Sequence, residues 1–126
     1  MILIIYYDKH QGTFMKKIEA IIRLQRFDEV RDALASIGEE FFSLKEVKGY
    51  GLQKGETMVY RGSVYGKDYI ARLQLDILTT EEKVEQILNT IMAAARTGEV
   101  GDGKISVLDV ESVFRIRNGD HNADAL

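Results

Sequence analysis

The sequence has no cysteine, no proline and no tryptophan, and only two histidines among 126 residues. Without cysteine there is no disulfide, no thiolate metal site and no cysteine nucleophile. The histidines, His10 and His121, stand near opposite ends of the chain, so a histidine-based catalytic or metal cluster is not expected. Long hydrophobic runs are also missing. The opening MILIIYY is apolar but too short to span a bilayer, and it lacks the basic start and small-residue cleavage site of a secretory signal. The expectation is a cytoplasmic protein with no direct membrane insertion. A cationic surplus is absent as well: 17 Lys+Arg against 20 Asp+Glu give a net charge of -3, which argues against nucleic acid as a partner.

What is present is the make-up of one globular domain, 45% hydrophobic and 29% charged, long enough to bury a real core. Eleven glycines must make the turns that proline does not. A second methionine, Met15, opens a strand-like run. Residues 1–14 are therefore set apart as an N-terminal extension: an added strand, a mis-assigned start or appended residues. The domain proper is 15–126.

Ile18, Ala20 and Ile22 share one face of an extended segment reaching Arg23, which predicts a strand. Phe27, Val30, Leu34 and Ile37 then recur at helical spacing. Asp28 and Glu29 suit the positive end of that helix, and Gly38 the residue after its end. A less regular strand is expected from about Phe41 to Gly51, and a third where Leu73, Leu75 and Ile77 alternate with Arg72, Gln74 and Asp76. Thr79-x-x-Glu82 has the form of a capping box before the apolar stripe Val84, Ile87, Leu88, Ile91, Met92, Ala95. A fourth strand is expected from Lys104 to Arg117, bulged around Asp109 to Ser112. The order βαββαβ predicts an α+β, ferredoxin-like domain: an antiparallel sheet with both helices on one face and the other face open to oligomerisation.

Two places carry chemistry. Between helix and strand, Thr97 to Lys104 holds three glycines beside a lysine, so exposed backbone N–H groups next to a cation offer a phosphate cradle. The alternative is a plain helix cap at Gly98 and a turn at Asp102-Gly103. Arg115 and Arg117, two apart on the expected strand, form a fork for anionic oxygens, or else an ordinary solvated face. Loop and fork would sit at opposite ends of one strand, so a neighbouring subunit is needed to join them. The stretch between Gly51 and Tyr69 has no clear period and reads either as a mobile interaction loop or as a long β-hairpin.

Six segments then converge: MKKIEAIIR from Met15, DEVRDAL from Asp28, EVKGYGLQKG from Glu46, YRGSVY from Tyr60, AARTGEVGDGKI from Ala94 and VFRIRNG from Val113. In this order and without an evident gap they resemble the PII nitrogen-signalling proteins. That resemblance implies a ferredoxin-like homotrimer binding ATP or ADP in clefts between subunits, with a long T-loop, here about 51–69, that contacts targets. It implies that Gly101, Asp102, Gly103 and Lys104 form the phosphate-binding B-loop, closed by Arg115 and Arg117 of the adjoining subunit. Gly49, Tyr50 and Gly51 would line the site at the T-loop base, with Ser43 near the adenine and Asp76 where the family has a glutamate. Gln53 matches the glutamine that helps hold Mg²⁺ when ATP and 2-oxoglutarate bind together, Arg23 a basic residue of the effector pocket, and Tyr65 a tyrosine that some members have uridylylated.

The chain also departs from the family pattern. Leu52 stands where an arginine usually meets the ATP γ-phosphate, and Arg72 where a lysine pairs with a 2-oxoglutarate carboxylate. Leu24 and Ala71 replace prolines, and Val64 replaces an acid. The resemblance is thus to a divergent branch, and with no donor at Leu52 this chain is expected to bind ADP or AMP at least as well as ATP. The implied role is a non-enzymatic adenine-nucleotide sensor that regulates a membrane transporter or a metabolic enzyme. The alternatives are a cation-tolerance-like trimer of the same fold or a slow ATPase, both without 2-oxoglutarate sensing.

Overall fold

A computed structural model describes residues 15–50, 58–60, 63–65 and 69–126. Strand β1 runs Met15–Arg23, helix α1 Phe27–Ser36, strands β2 Ser43–Tyr50, β3 Met58–Tyr60, β4 Ser63–Tyr65 and β5 Tyr69–Thr80, helix α2 Glu81–Ala95 and strand β6 Lys104–Val110. Four strands make one antiparallel sheet in the order β2-β5-β1-β6. In its register Ile18 faces Ile77 and Val107, Ala20 faces Leu75 and Ile105, and Arg23 faces Arg72. Ile18, Ala20, Ile22, Leu75 and Ile77 therefore point to one side, where they form a single cluster with Val30 and Leu34 of α1 and Ile87, Ile91 and Ala95 of α2. Each of the large aliphatic groups so buried contributes on the order of 2 kcal/mol. Both helices thus lie on one face, as the alternation of β1 and the stripe of α2 predict.

The opposite face is polar along its middle. Gln74 Nε2 donates to Asp76 Oδ1 at 2.9 Å, Lys17 pairs with Glu19 at 3.0 Å and Lys45 lies 3.9 Å from Asp76. No buried side-chain polar atom lacks a partner among the described residues. Leu78 and Leu108 flank Lys17 there and stay 44% and 41% exposed.

Two expectations need correction. Strand β6 ends at Val110 and does not continue to Arg117. After it the chain doubles back: Phe114 bridges His121, the Arg115 N–H donates to the Asp120 carbonyl at 2.7 Å and the Gly119 N–H to the Arg115 carbonyl at 2.9 Å. The Asn118 and Asp120 side chains bond within the same turn, so local turn chemistry overrides the β-branched run. Arg115 and Arg117 are consequently not a same-face pair on a strand. Secondly, Thr79 does not cap α2. It is a buried strand residue, 2% exposed and in phase with Leu75 and Ile77; Thr80 is the N-cap and makes no capping bond.

Residues 1–14 lie outside the described residues. Within 51–69 the described parts are β3, β4 and Tyr69, the first residue of β5; β3 and β4 pair antiparallel with Tyr60 opposite Ser63. The hairpin reading is therefore realised between 58 and 65. Among the described residues no helix is long and apolar enough to cross a membrane.

Candidate functional site

The glycine loop leaves the end of α2 from a fixed point. Arg26 donates from Nε and NH2 to the Ala94 carbonyl at 3.0 and 2.6 Å, and a cation there also suits the negative end of the helix. Beyond it, Asp102 organises the loop. Its carboxylate accepts the Thr97 hydroxyl, the Thr97 and Gly98 N–H groups, both at 2.9 Å, and Arg23 Nε at 3.0 Å. The Thr97 hydroxyl above all, then the Thr97 N–H, Arg23 and the Gly98 N–H, hold this carboxyl well below the usual carboxylate range, against a partial desolvation that pushes it up. Asp102 thus serves the loop's shape with all the acceptor capacity seen here.

A folded-state value below the ordinary 3.8 stabilises the loop fully above that pH, and the contribution is lost as pH falls through the depressed value. Asp102→Asn should therefore be less stable than the wild type by a constant amount from pH 5 to 8. The gap should close as acid is added below about pH 3.8. Denaturant unfolding of both proteins across pH measures it, and a gap independent of pH down to acid unfolding would refute the assignment.

Gly103 is held against the first strand. At φ +106 an added Cβ would stand 1.8 Å from the Ile21 carbonyl oxygen, so no side chain fits. Gly101 lies against the guanidiniums that face each other across β1 and β5: its added Cβ would be 3.0 Å from Arg72 NH2 and 3.3 Å from Arg23 NH2. Arg23 is engaged, with NH2 on the Val100 carbonyl at 2.9 Å besides the Asp102 pair. Arg72 NH1 donates to the neighbouring Ala71 carbonyl at 3.3 Å. Burial, then the adjacent Arg23 charge, lowers its pKa from the guanidinium norm, yet a guanidinium stays protonated at neutral pH. Two guanidiniums beside a single carboxylate, which pairs with Arg23, leave net positive charge beside Gly101.

The other expected residues divide between this end of the sheet and another place. Gly49 is opposite Ile70, near the Arg23–Arg72 end. Tyr50, opposite Tyr69, turns its ring to the helix side, where the two rings are 5.8 Å apart and Lys48 Nζ lies 4.8 Å from the Tyr69 ring. Only the Tyr50 backbone is thus available to a ligand on the Arg72 face. Ser43 is opposite Asp76, six residues before Gly49 and hence roughly 20 Å away along the strand. Ser43 and Asp76 line a recess of about 620 Å³ with Lys17, Phe41, Leu78 and Leu126. Arg115 belongs to that side too: it pairs with Asp120 at 3.3 Å, and its NH2 donates to the Leu126 carbonyl at 3.5 Å. Arg117 is exposed at the turn.

The residues expected to bind one ligand thus fall into two separate groups: Gly49, Gly101, Gly103 and Lys104 with Arg23 and Arg72, and Ser43 and Asp76 with Arg115. Gly51 and Gln53 lie outside the described residues, and Tyr65 ends β4 opposite Met58. Sequence reasoning missed Thr97 as the partner of Asp102, and it used Phe41 only as the start of a strand, whereas Phe41 precedes β2 and lines the recess with Ser43 and Asp76.

The sequence matches the family described as Nitrogen regulatory protein P-II over residues 15–120. The chain is 47% identical to the nitrogen regulatory protein P-II of Pasteurella multocida over 112 residues, 89% of this chain and all of that protein. It is 44% identical to nitrogen regulatory protein P-II 1 of Escherichia coli over the same shares. The crystal structure of Arabidopsis thaliana PII bound to citrate superposes with a TM-score of 0.73 at 33% identity, covering 90% of this chain and 91% of that one. Fold, glycine loop and these relatives agree, and the chain belongs to the nitrogen regulatory protein P-II family.

Proposed function

We propose that this chain is a non-enzymatic signal-transduction protein that forms a homotrimer and binds ADP, ATP or AMP in clefts between copies. One copy supplies Gly49, Gly51 and the loop Gly101–Lys104, with Asp102 shaping the loop. The next supplies Ser43, Asp76, Arg115 and Arg117. The observation that carries this reading is the separation of the two half-sites within one chain, which a second copy resolves. Leu78 and Leu108, half-exposed on the open sheet face, supply apolar area for such an assembly. Occupancy of the cleft biases the T-loop, about 51–69, and through it a membrane transporter or metabolic enzyme; differential contacts of the nucleotides with the loop base provide the switching free energy.

Arg23 and Arg72 form the anion-binding corner for an effector. Arg23 is already tied to Asp102, so Arg72 carries most of the free capacity. Mg²⁺ with ATP would rest on Gln53, which lies outside the described residues.

Leu52 has no donor for a γ-phosphate. ATP therefore lacks one charge-assisted contact of roughly 1.5–3 kcal/mol that ADP never had. ADP or AMP should bind at least as well as ATP, and 2-oxoglutarate weakly or not at all. Calorimetric titration of the three nucleotides, with and without Mg²⁺ and 2-oxoglutarate, checks this. Tight ATP-dependent 2-oxoglutarate binding would show an ordinary nitrogen sensor.

A further inference from the structure

Phe41 is 89% exposed, although Phe42 beside it packs against the core and meets Phe27 edge-on at 6.2 Å. Pinning Phe42 inward turns Phe41 outward at the entry to β2, into the rim of the recess that holds Ser43 and Asp76. The recess combines a flat apolar wall, a hydroxyl that donates and accepts, the carboxylates of Glu40 and Asp76, and the Lys17 ammonium, whose charge is met by Glu19 at 3.0 Å. Asp76 is only 15% exposed, with one oxygen on Gln74 and the other 3.9 Å from Lys45. A carboxylate at this depth repels phosphate and accepts from amines and hydroxyls. A flat ring with polar edges fits this end, and the phosphates fit the cationic glycine loop. We propose that Phe41 is a base-stacking, specificity-determining residue: the purine lies on its ring while Ser43 and Asp76 meet the polar edges of the nucleoside. The inference rests on the nucleotide reading above and adds Phe41 to it.

The test uses full-length wild type, Phe41→Ala and Phe41→Trp, with ADP and inorganic pyrophosphate as probes. Alanine should weaken ADP at least about fivefold, as loss of a base stack does, and leave the elution volume and pyrophosphate binding unchanged. The chain has no tryptophan, so Phe41→Trp places a sole reporter in the recess. Its emission should be quenched by ADP and unaffected by pyrophosphate. Undiminished ADP affinity in Phe41→Ala, equal loss of both probes, or tryptophan emission indifferent to saturating ADP would each overturn the stacking role while leaving the nucleotide reading intact. A wild type that binds no ADP would overturn both.

Discussion

Gly103→Ala is expected to lower the melting temperature by about 10 °C and to abolish nucleotide binding. The alanine Cβ would sit 1.8 Å from the Ile21 oxygen and 2.8 Å from its carbonyl carbon. The obstacle is backbone in the central part of the sheet, which cannot swing aside as a side chain can. A positive φ of this size adds roughly 1–3 kcal/mol of backbone strain, and overpacking a similar amount. About 3 kcal/mol in total corresponds to the stated shift for a domain of this size. Gly98→Ala is the control: its φ is +87, but nothing lies within 4 Å of the added Cβ, so it should cost only about 1 kcal/mol. Equal thermal shifts for the two variants would refute the close-contact explanation.

The contrast shows what the sequence could and could not say. The pattern of Ile18, Ala20 and Ile22, and the stripe from Val84 to Ala95, were legible because burial on one face imposes a period. The glycine loop was legible because its residue types are unusual together. Its internal logic was not: Asp102 closes on Thr97, five residues back, and on Arg23, 79 residues away, and the latter pairing exists only once the sheet register is set. The end of β6 was misread because Val113, Phe114 and Ile116 favour a strand, while the bonds of Asn118 and Asp120 close a turn. β5 runs to twelve residues, well past the three alternating apolar positions that announce it, because Tyr69 to Arg72 pair with Tyr50 to Val47 across the sheet, and strand pairing leaves no apolar period. The role expected of Arg115 and Arg117 was partly legible as a cationic pair two residues apart, whereas that expected of Gln53 came from resemblance alone, since an isolated polar residue carries no period. The separation of the glycine loop from the arginines was legible, though on the premise of a strand reaching Arg117; that Ser43 and Asp76 fall with the arginine side was not, because register is a tertiary property.

Lys104→Ala should weaken ADP binding at least about tenfold, since a charge-assisted bond to phosphate contributes roughly 1.5–3 kcal/mol. Lys104 is the only cation in the stretch from Thr97 to Lys104, and its exposed position at the first residue of β6 makes the substitution benign for folding. Arg117→Ala, at an exposed turn on the other half-site, should weaken ADP comparably without touching the loop. Each variant alone then fails for a different reason, and this opens a direct test of a site completed by two copies.

Co-expressed Lys104→Ala and Arg117→Ala chains should assemble into mixed oligomers and regain high-affinity ADP binding. Under random pairing about a quarter of the clefts join an intact loop from one copy to an intact arginine side from another. Calorimetry on the mixture should therefore read wild-type affinity at about a quarter of the wild-type stoichiometry. A mixture that binds no better than either variant alone would contradict the account, as would an Arg117→Ala protein that binds ADP as the wild type does.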